Sequence, residues 1–210
     1  MTVWDERYQD SEYVFGVEPN KFLAQIAHLL PNSGRALDLA TGEGRNAVFL
    51  AKHGLTTTGV DVSQVGLEKA KRLAKDNQVI VDFINRDICT MDWQAPYEVI
   101  SSVFFHLPVP KRFEIAKKII DALSPNGLFV GVFYHTEQLK FGTGGPSKIE
   151  MLGTLEDWQA AYNGLKWLYA KHHILHLNEG NRHIGKSSVV CLLGQKVISW
   201  HLNKLTTLKW

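Results

Sequence analysis

The run Arg35-Ala36-Leu37-Asp38-Leu39 passes directly into Ala40-Thr41-Gly42-Glu43-Gly44, after which Ala47, Val48, Leu50 and Ala51 recur at helical spacing. A hydrophobic pattern that changes period across a glycine turn predicts strand, turn and helix. The same order then repeats. Thr56 to Val60 is a β-branched run, Ser63 is placed to cap a helix carrying Leu67, Ala70, Leu73 and Ala74, and Val79 to Ile84 predicts a third strand. Strands alternating with helices predict a parallel sheet with helices on its faces.

The pattern continues with strands over Glu98 to Val103 and Gly127 to Phe133. Between them lies a helix from Phe113 to Leu123, and Ser124-Pro125-Asn126-Gly127 supplies the turn. Upstream, Phe22, Leu23, Ile26, Leu29 and Leu30 predict a helix within 19–30, broken by Pro31-Asn32-Ser33-Gly34. Downstream come a glycine-rich loop, Gly142 to Pro146, and a helix from Leu155 to Tyr162. The chain then changes character. Leu165 to Leu177 and Ile184 to Leu193 are long strand-like runs joined by Asn178-Glu179-Gly180-Asn181, which predicts an antiparallel hairpin.

With 210 residues, 45% of them hydrophobic, the chain can bury one sizeable core and not comfortably two. The expectation is one domain over 1–210, with a core at 19–196 and an extension at 197–210. Twenty-three basic residues nearly balance twenty-one acidic ones and are scattered, which argues against a nucleic-acid partner. Charges at Asp5, Glu6 and Arg7 disfavour a signal peptide, and no apolar run approaches the ~20 residues of a membrane span, so a cytoplasmic location is expected. Cys89 and Cys191 lack CxxC spacing, and His172 and His173 have no second partner set, so no metal site is expected. No oligomeric state can be read from this pattern.

Parallel sheets bind ligands beyond the carboxyl ends of their strands, where the first βα turn meets a helix N-terminus. Here Gly42 and Gly44 let the backbone turn tightly beside a ligand, and the first helical N–H groups can receive a carboxylate. Asp61 ends the second strand 17 residues past Gly44, close to the ~20 at which an acidic residue meets ribose hydroxyls. Asp87 follows the third strand, where its carboxylate can accept from an adenine amino group while Ile88 covers the ring. Three acids at three successive strand ends describe a nucleoside site.

In these residues the chain resembles the class I S-adenosylmethionine-dependent methyltransferases, chiefly across Pro19 to Phe133. Trp4-Asp5-Glu6-Arg7-Tyr8, Gly42-Glu43-Gly44-Arg45-Asn46 and the terminal hairpin look most like its small-molecule branch, which includes tellurite-resistance and thiopurine methyltransferases. The resemblance implies an α/β, Rossmann-like three-layer sandwich, with a seven-stranded, mostly parallel sheet and an antiparallel C-terminal hairpin. It implies S-adenosyl-L-methionine as cofactor, held by Asp38, Ala40, Thr41, Gly42, Gly44, Arg45, Asn46, Asp61, Val62, Asp87, Ile88 and Ser102. Residues 1–18 become a lid, with Trp4 and Tyr8 over the cofactor. Ala40 departs from the family pattern, which has glycine there.

The implied activity is methyl transfer to a small molecule by in-line displacement, for which alignment in a dry pocket supplies most of the rate. His106, after the fourth strand, is the expected catalytic base or orienting group. Phe105, His106, Tyr134, His135, Arg182 and His183 are the expected acceptor contacts, and Gly142 to Pro146 suits a covering loop. Two other readings compete. The motif also fits a dinucleotide fingerprint, but Asp38 and Glu43 make the turn unfriendly to a pyrophosphate. A non-catalytic S-adenosylmethionine-binding protein is compatible with the cofactor half alone.

Overall fold

The computed structural model describes residues 2–94 and 96–197, so the extension expected at 197–210 lies outside the described residues except for Val197. Seven strands form one sheet in the order β3-β2-β1-β4-β5-β7-β6. They are β1 Arg35–Leu39, β2 Thr56–Asp61, β3 Val81–Asn85, β4 Tyr97–Val103, β5 Leu123–Tyr134, β6 Leu165–Glu179 and β7 His183–Lys196. β1 to β5 pair in parallel, whereas β7 runs antiparallel to both β5 and β6. The order reverses between β1 and β4, and that switch point places a crevice beyond the ends of these two strands.

Both faces of the central strands are apolar because helices cover both. On one face Leu37, Leu39, Ile100, Phe129 and Phe133 pack against Ile115 and Ile119 of α5 (Val109–Ala122) and Trp158 of α6 (Leu155–Ala161). On the other, Ala36, Val99, Val130 and Val132 meet Phe22 and Leu23 of α2 (Lys21–Gln25) and Leu50 of α3 (Arg45–Lys52). α4 (Gln64–Asp76) joins α3 through Val48, Leu73 and Ala74. Among the described residues no helix is long and apolar enough to cross a membrane.

Three local expectations are corrected. The turn expected at Ser124 to Gly127 lies inside β5: pairing with β4 starts at Tyr97–Leu123 and resumes at Val99–Leu128, so the intervening residues form an irregularity in a continuing ladder. The helix expected within 19–30 is split into α2 and a 3-10 turn, Ala27–Leu29. The hairpin turns at Gly180-Asn181-Arg182, two residues later than expected, with Gly180 at φ +64°. An unexpected short helix, α1 (Val3–Arg7), opens the chain with a capping box between Thr2 and Asp5.

Ala40 adopts φ +53°, a left-handed conformation that brings Cβ against the carbonyl oxygen. This accounts for the glycine that the resembling family carries there. Ala40→Gly is expected to stabilise the protein by about 1 kcal/mol, the usual left-handed penalty less the added freedom of the unfolded chain. A thermal melt would then rise by about 2–4 °C; a fall would show that the Ala40 methyl contributes more packing than it costs in strain.

Candidate cofactor and acceptor site

The glycine turn is held from beneath by Asp38. Its carboxylate accepts hydrogen bonds from Ser101 Oγ and Thr41 Oγ1, both at 2.6 Å, and is fully enclosed. Burial without a cation in contact raises its pKa to about 6, although these two hydrogen bonds pull the other way. Asp61, at the end of β2, accepts from the Gly42 and Ser63 amides at 2.8 Å each. Burial raises its pKa too. α3 begins at Gly44, φ +88°, and no side chain caps its first turn. Its leading N–H groups therefore keep the partial positive charge that attracts an anion.

The N-terminal segment is strapped over this edge. Asp5 accepts from Ser63 Oγ at 2.8 Å and from the Val65 amide at 3.3 Å, at the start of α4. Hydrogen bonds from Thr2 and Ser63 hold Asp5 well below the usual carboxylate range. Tyr8 is buried against the turn, so that a Cβ at Gly42 would lie 2.6 Å from its hydroxyl, and Trp4 stacks on Tyr8 at 5.8 Å. Lys69 donates to the carbonyls of Asp10 at 2.9 Å and Glu12 at 2.6 Å and pairs with Glu43. Arg45 donates to the Phe15 carbonyl at 3.0 Å and to Glu179 at 2.7 Å, and Asn46 accepts from the Asn20 amide at 2.9 Å. The side chains of Arg45 and Asn46, expected on the cofactor, are thus engaged with the N-terminal segment and the end of β6.

The region expected to meet the acceptor gathers rings from four places in the chain. Phe104 lies 4.8 Å from Tyr134 and 4.5 Å from His183, and Phe15 lies 4.5 Å from His183 on another side. Phe104 itself sits at φ +56°, an outlier for a bulky residue. Ser102 Oγ, Tyr134 Oη and His183 Nδ1 are buried without a hydrogen-bond partner among the described residues. His183 Nδ1 is 4.0 Å from Glu179, too far for a hydrogen bond. Gly145 packs on the Tyr134 ring, so the loop expected as a cover touches that ring.

His106 is placed differently from its expected role. Its Nδ1 lies 2.8 Å from the Phe104 carbonyl, and its Nε2 accepts from the Tyr134 amide at 2.9 Å. A nitrogen that accepts from an amide leaves the proton on Nδ1, so the ring is a neutral bridge between the ends of β4 and β5. Burial lowers its pKa to about 3. Neither nitrogen keeps a free lone pair for a substrate proton. Asp87 is exposed and accepts from the Cys89 amide at 2.8 Å, closing its own turn, while Ile88 is buried in the core. Val62 and Arg182 are exposed.

Residues 36–127 match the family model described as a methyltransferase domain. Over that stretch the chain is similar to S-adenosylmethionine-dependent methyltransferases. It is 27% identical over 132 residues to the carboxy-S-adenosyl-L-methionine synthase of Campylobacter concisus, a stretch covering 61% of this chain and 56% of that protein. The chain therefore spans little more than half the length of that relative. The crystal structure of TehB from Haemophilus influenzae superposes with a TM-score of 0.70 at 17% identity, covering 92% of this chain and 65% of the other. The N-methyltransferase NodS from Bradyrhizobium japonicum, in complex with S-adenosyl-L-homocysteine, gives 0.68 at 11% identity, covering 92% and 96%. These two likenesses describe the fold.

Sequence reasoning missed several residues that build this sheet edge and its supports. Asp5 was signalled only by the T-x-x-D spacing from Thr2. Lys69 falls among Gly66, Ala70 and Leu73 on the buried stripe of α4, and Arg112 among Ile115, Ala116 and Ile119 on that of α5. Such a cation inside an apolar stripe must find partners. Arg112 finds the Leu152 carbonyl at 2.8 Å and the Trp158 ring at 4.0 Å. Glu179 had no local signal, because its partner Arg45 lies 134 residues away.

The Asp38 carboxyl gives this domain a testable pH signature. Between about pH 4 and pH 6 the native state keeps a proton that the unfolded chain has released, so this group lowers stability as pH rises through that window. Asp38→Asn removes that cost, and the ligand-free protein should gain on the order of 2 kcal/mol at pH 7.5, each pKa unit being worth about 1.4 kcal/mol. At pH 4 the gain should vanish. Urea denaturation at the two pH values decides it; equal shifts at both would show that Asp38 is not the titrating group.

Proposed function

We propose that this chain, acting as a single domain, transfers a methyl group from S-adenosyl-L-methionine to a small-molecule acceptor by in-line displacement. The observation that carries the reading is a sheet edge to which the N-terminal segment is tied, along which Ser102 Oγ, Tyr134 Oη and His183 Nδ1 are buried without partners among the described residues. Buried polar groups cost free energy unless hydrogen-bonded, and a small polar ligand enclosed there would satisfy them.

The residues fit the cofactor. The uncapped start of α3 would receive its carboxylate, Gly42 and Gly44 form the turn it would lie against, and Asp61 would accept from the ribose hydroxyls. Asp87 and Ile88 would meet the adenine, with Val62 at its edge, and Asp38, Ala40 and Thr41 shape the turn. Trp4 and Tyr8 close over it, and Arg45 and Asn46 act through the segment they hold. When bound, S-adenosyl-L-methionine supplies an electrophilic methyl on a sulfonium.

The protein's part is orientation and exclusion of water. Phe104, Phe105, Tyr134 and His183 would bound the acceptor, and Arg182 sits at the rim. With both nitrogens of His106 tied to backbone, it positions the β4 and β5 ends. His183, kept neutral by burial and with its Nδ1 no nearer than 4.0 Å to Glu179, is the group able to orient the acceptor or take its proton. The enclosure supports neither a nucleic acid nor a membrane as partner. The proposed location is the cytoplasm.

Calorimetric titration tests the cofactor assignment. S-adenosyl-L-methionine and S-adenosyl-L-homocysteine should bind and NAD should not, and Asp61→Ala should weaken binding about tenfold or more, the worth of a charge-assisted hydrogen bond. NAD binding in their place would transfer the site to an oxidoreductase. Binding without turnover across thiols, oxyanions and amines would favour a non-catalytic binder.

A pair of variants separates the two histidines once an acceptor is known. His183→Phe keeps a ring in place and should lower kcat by about 10²-fold with little change in melting temperature. His106→Ala should cost about 1–3 kcal/mol of stability, through the unpaired Tyr134 amide, and leave kcat nearly intact at temperatures where it is folded. The reverse pattern would restore His106 as the catalytic group.

A further inference from the structure

On the far side of β5 from Tyr134, the fold assembles three side chains that the methyl-transfer reading does not need. His135 follows β5, Glu137 stands in the 3-10 turn Thr136–Lys140, and His172 belongs to the edge strand β6. One potential ligand atom from each lies within 4.8 Å of the others. The two imidazole rings stack with centroids 3.8 Å apart, and Glu137 Oε2 is 3.9 Å from His172 Nε2. The other oxygen, Glu137 Oε1, is 2.7 Å from Lys140 Nζ, which orients the carboxylate and leaves Oε2 facing the rings. The expectation that His172 lacks a partner set is thereby corrected: its partners lie 35 and 37 residues away and meet it only through sheet pairing.

We propose that His135, Glu137 and His172 form a binding site for a borderline divalent transition metal of the zinc type. Two imidazoles and one carboxylate are the donor set such ions prefer, whereas magnesium and calcium require all-oxygen shells. Three protein ligands leave a fourth position for water. Binding would rotate one ring out of the stack, so that both lone pairs face one ion, and would exchange two hydrogen bonds for coordination bonds: the Glu137 amide to His135 Nδ1 at 3.1 Å, and the contact of Ser188 Oγ with His172 Nε2 at 2.7 Å.

The site has a mechanical connection to the acceptor side. Gln138, next to Glu137, donates to Thr143 Oγ1 at 3.0 Å and to the Gly144 carbonyl at 3.1 Å, and it accepts from the Ser188 amide at 2.8 Å. A metal joining the turn to β6 would stiffen the support of the loop that packs on Tyr134. That consequence is independent of which acceptor is methylated.

The test is titration of the untagged protein with Co²⁺ alone, read by visible absorption and calorimetry, followed by displacement with Zn²⁺. One saturable equivalent with d–d bands is expected, lost in His172→Ala and weakened in Glu137→Gln. Glu137 is a surface residue whose amide analogue preserves shape, so that variant guards against misfolding of the first. Absence of saturable binding in the parent protein, or binding unchanged in either variant, overturns the site.

Discussion

A buried ammonium cannot be left unpaired, and Lys69 is the one on which the cofactor edge depends. Only 2% exposed, it is neutralised by Glu43 of the glycine turn and solvated by carbonyls of the N-terminal segment. Arg45 makes the complementary tie, from the first turn of α3 to Glu179 at the end of β6 and to the Phe15 carbonyl. Burial alone would raise the Glu179 pKa, but His183 and Arg45 beside it hold it down to about 2. Buried pairs of this kind contribute little net stability, yet breaking one leaves an uncompensated charge costing about 3–5 kcal/mol. Their effect here is positional. They fix the N-terminal segment, the glycine turn and the hairpin in one register.

With those pieces fixed, backbone strain becomes tolerable at two strand ends. Ala40 and Phe104 both occupy left-handed φ at the carboxyl ends of β1 and β4, on either side of the topological switch point. At Phe104 the strain turns the ring toward Tyr134 and His183, and His106 bridges the same strand ends through backbone. The aromatic wall and the histidine that braces it are therefore one construction. Sequence position suggested a base at His106, because a histidine after a strand end looks the same whether its nitrogens are free or spent.

Much of the fold was legible because periodicity records burial. β1, β2 and β4 were placed to within a residue, since each has apolar faces covered on both sides and a turn or helix signal at its end. The β5 start was misplaced because Pro125 and Asn126 read as a turn wherever they occur, while pairing with β4 continued around them. In the site, Asp38, Asp61, Gly42 and Gly44 were legible from spacing to strand ends. Asp5, Lys69 and Glu179 were not, for among several acids and lysines of equal local context only packing selects the buried one.

By itself the sequence determined the alternation of strands and helices, hence a parallel sheet and a ligand site beyond its carboxyl ends, because these follow from local period and from glycine's access to left-handed φ. Tertiary structure alone decided which polar groups meet. The pairing of Arg45 with Glu179, the closure of Asp5 on Ser63, the bracing of His106 and the convergence of His135, Glu137 and His172 all join residues distant in sequence. Charges and hydrogen-bond donors act over a few ångströms of space, and chain separation carries no record of that distance until the sheet has been assembled.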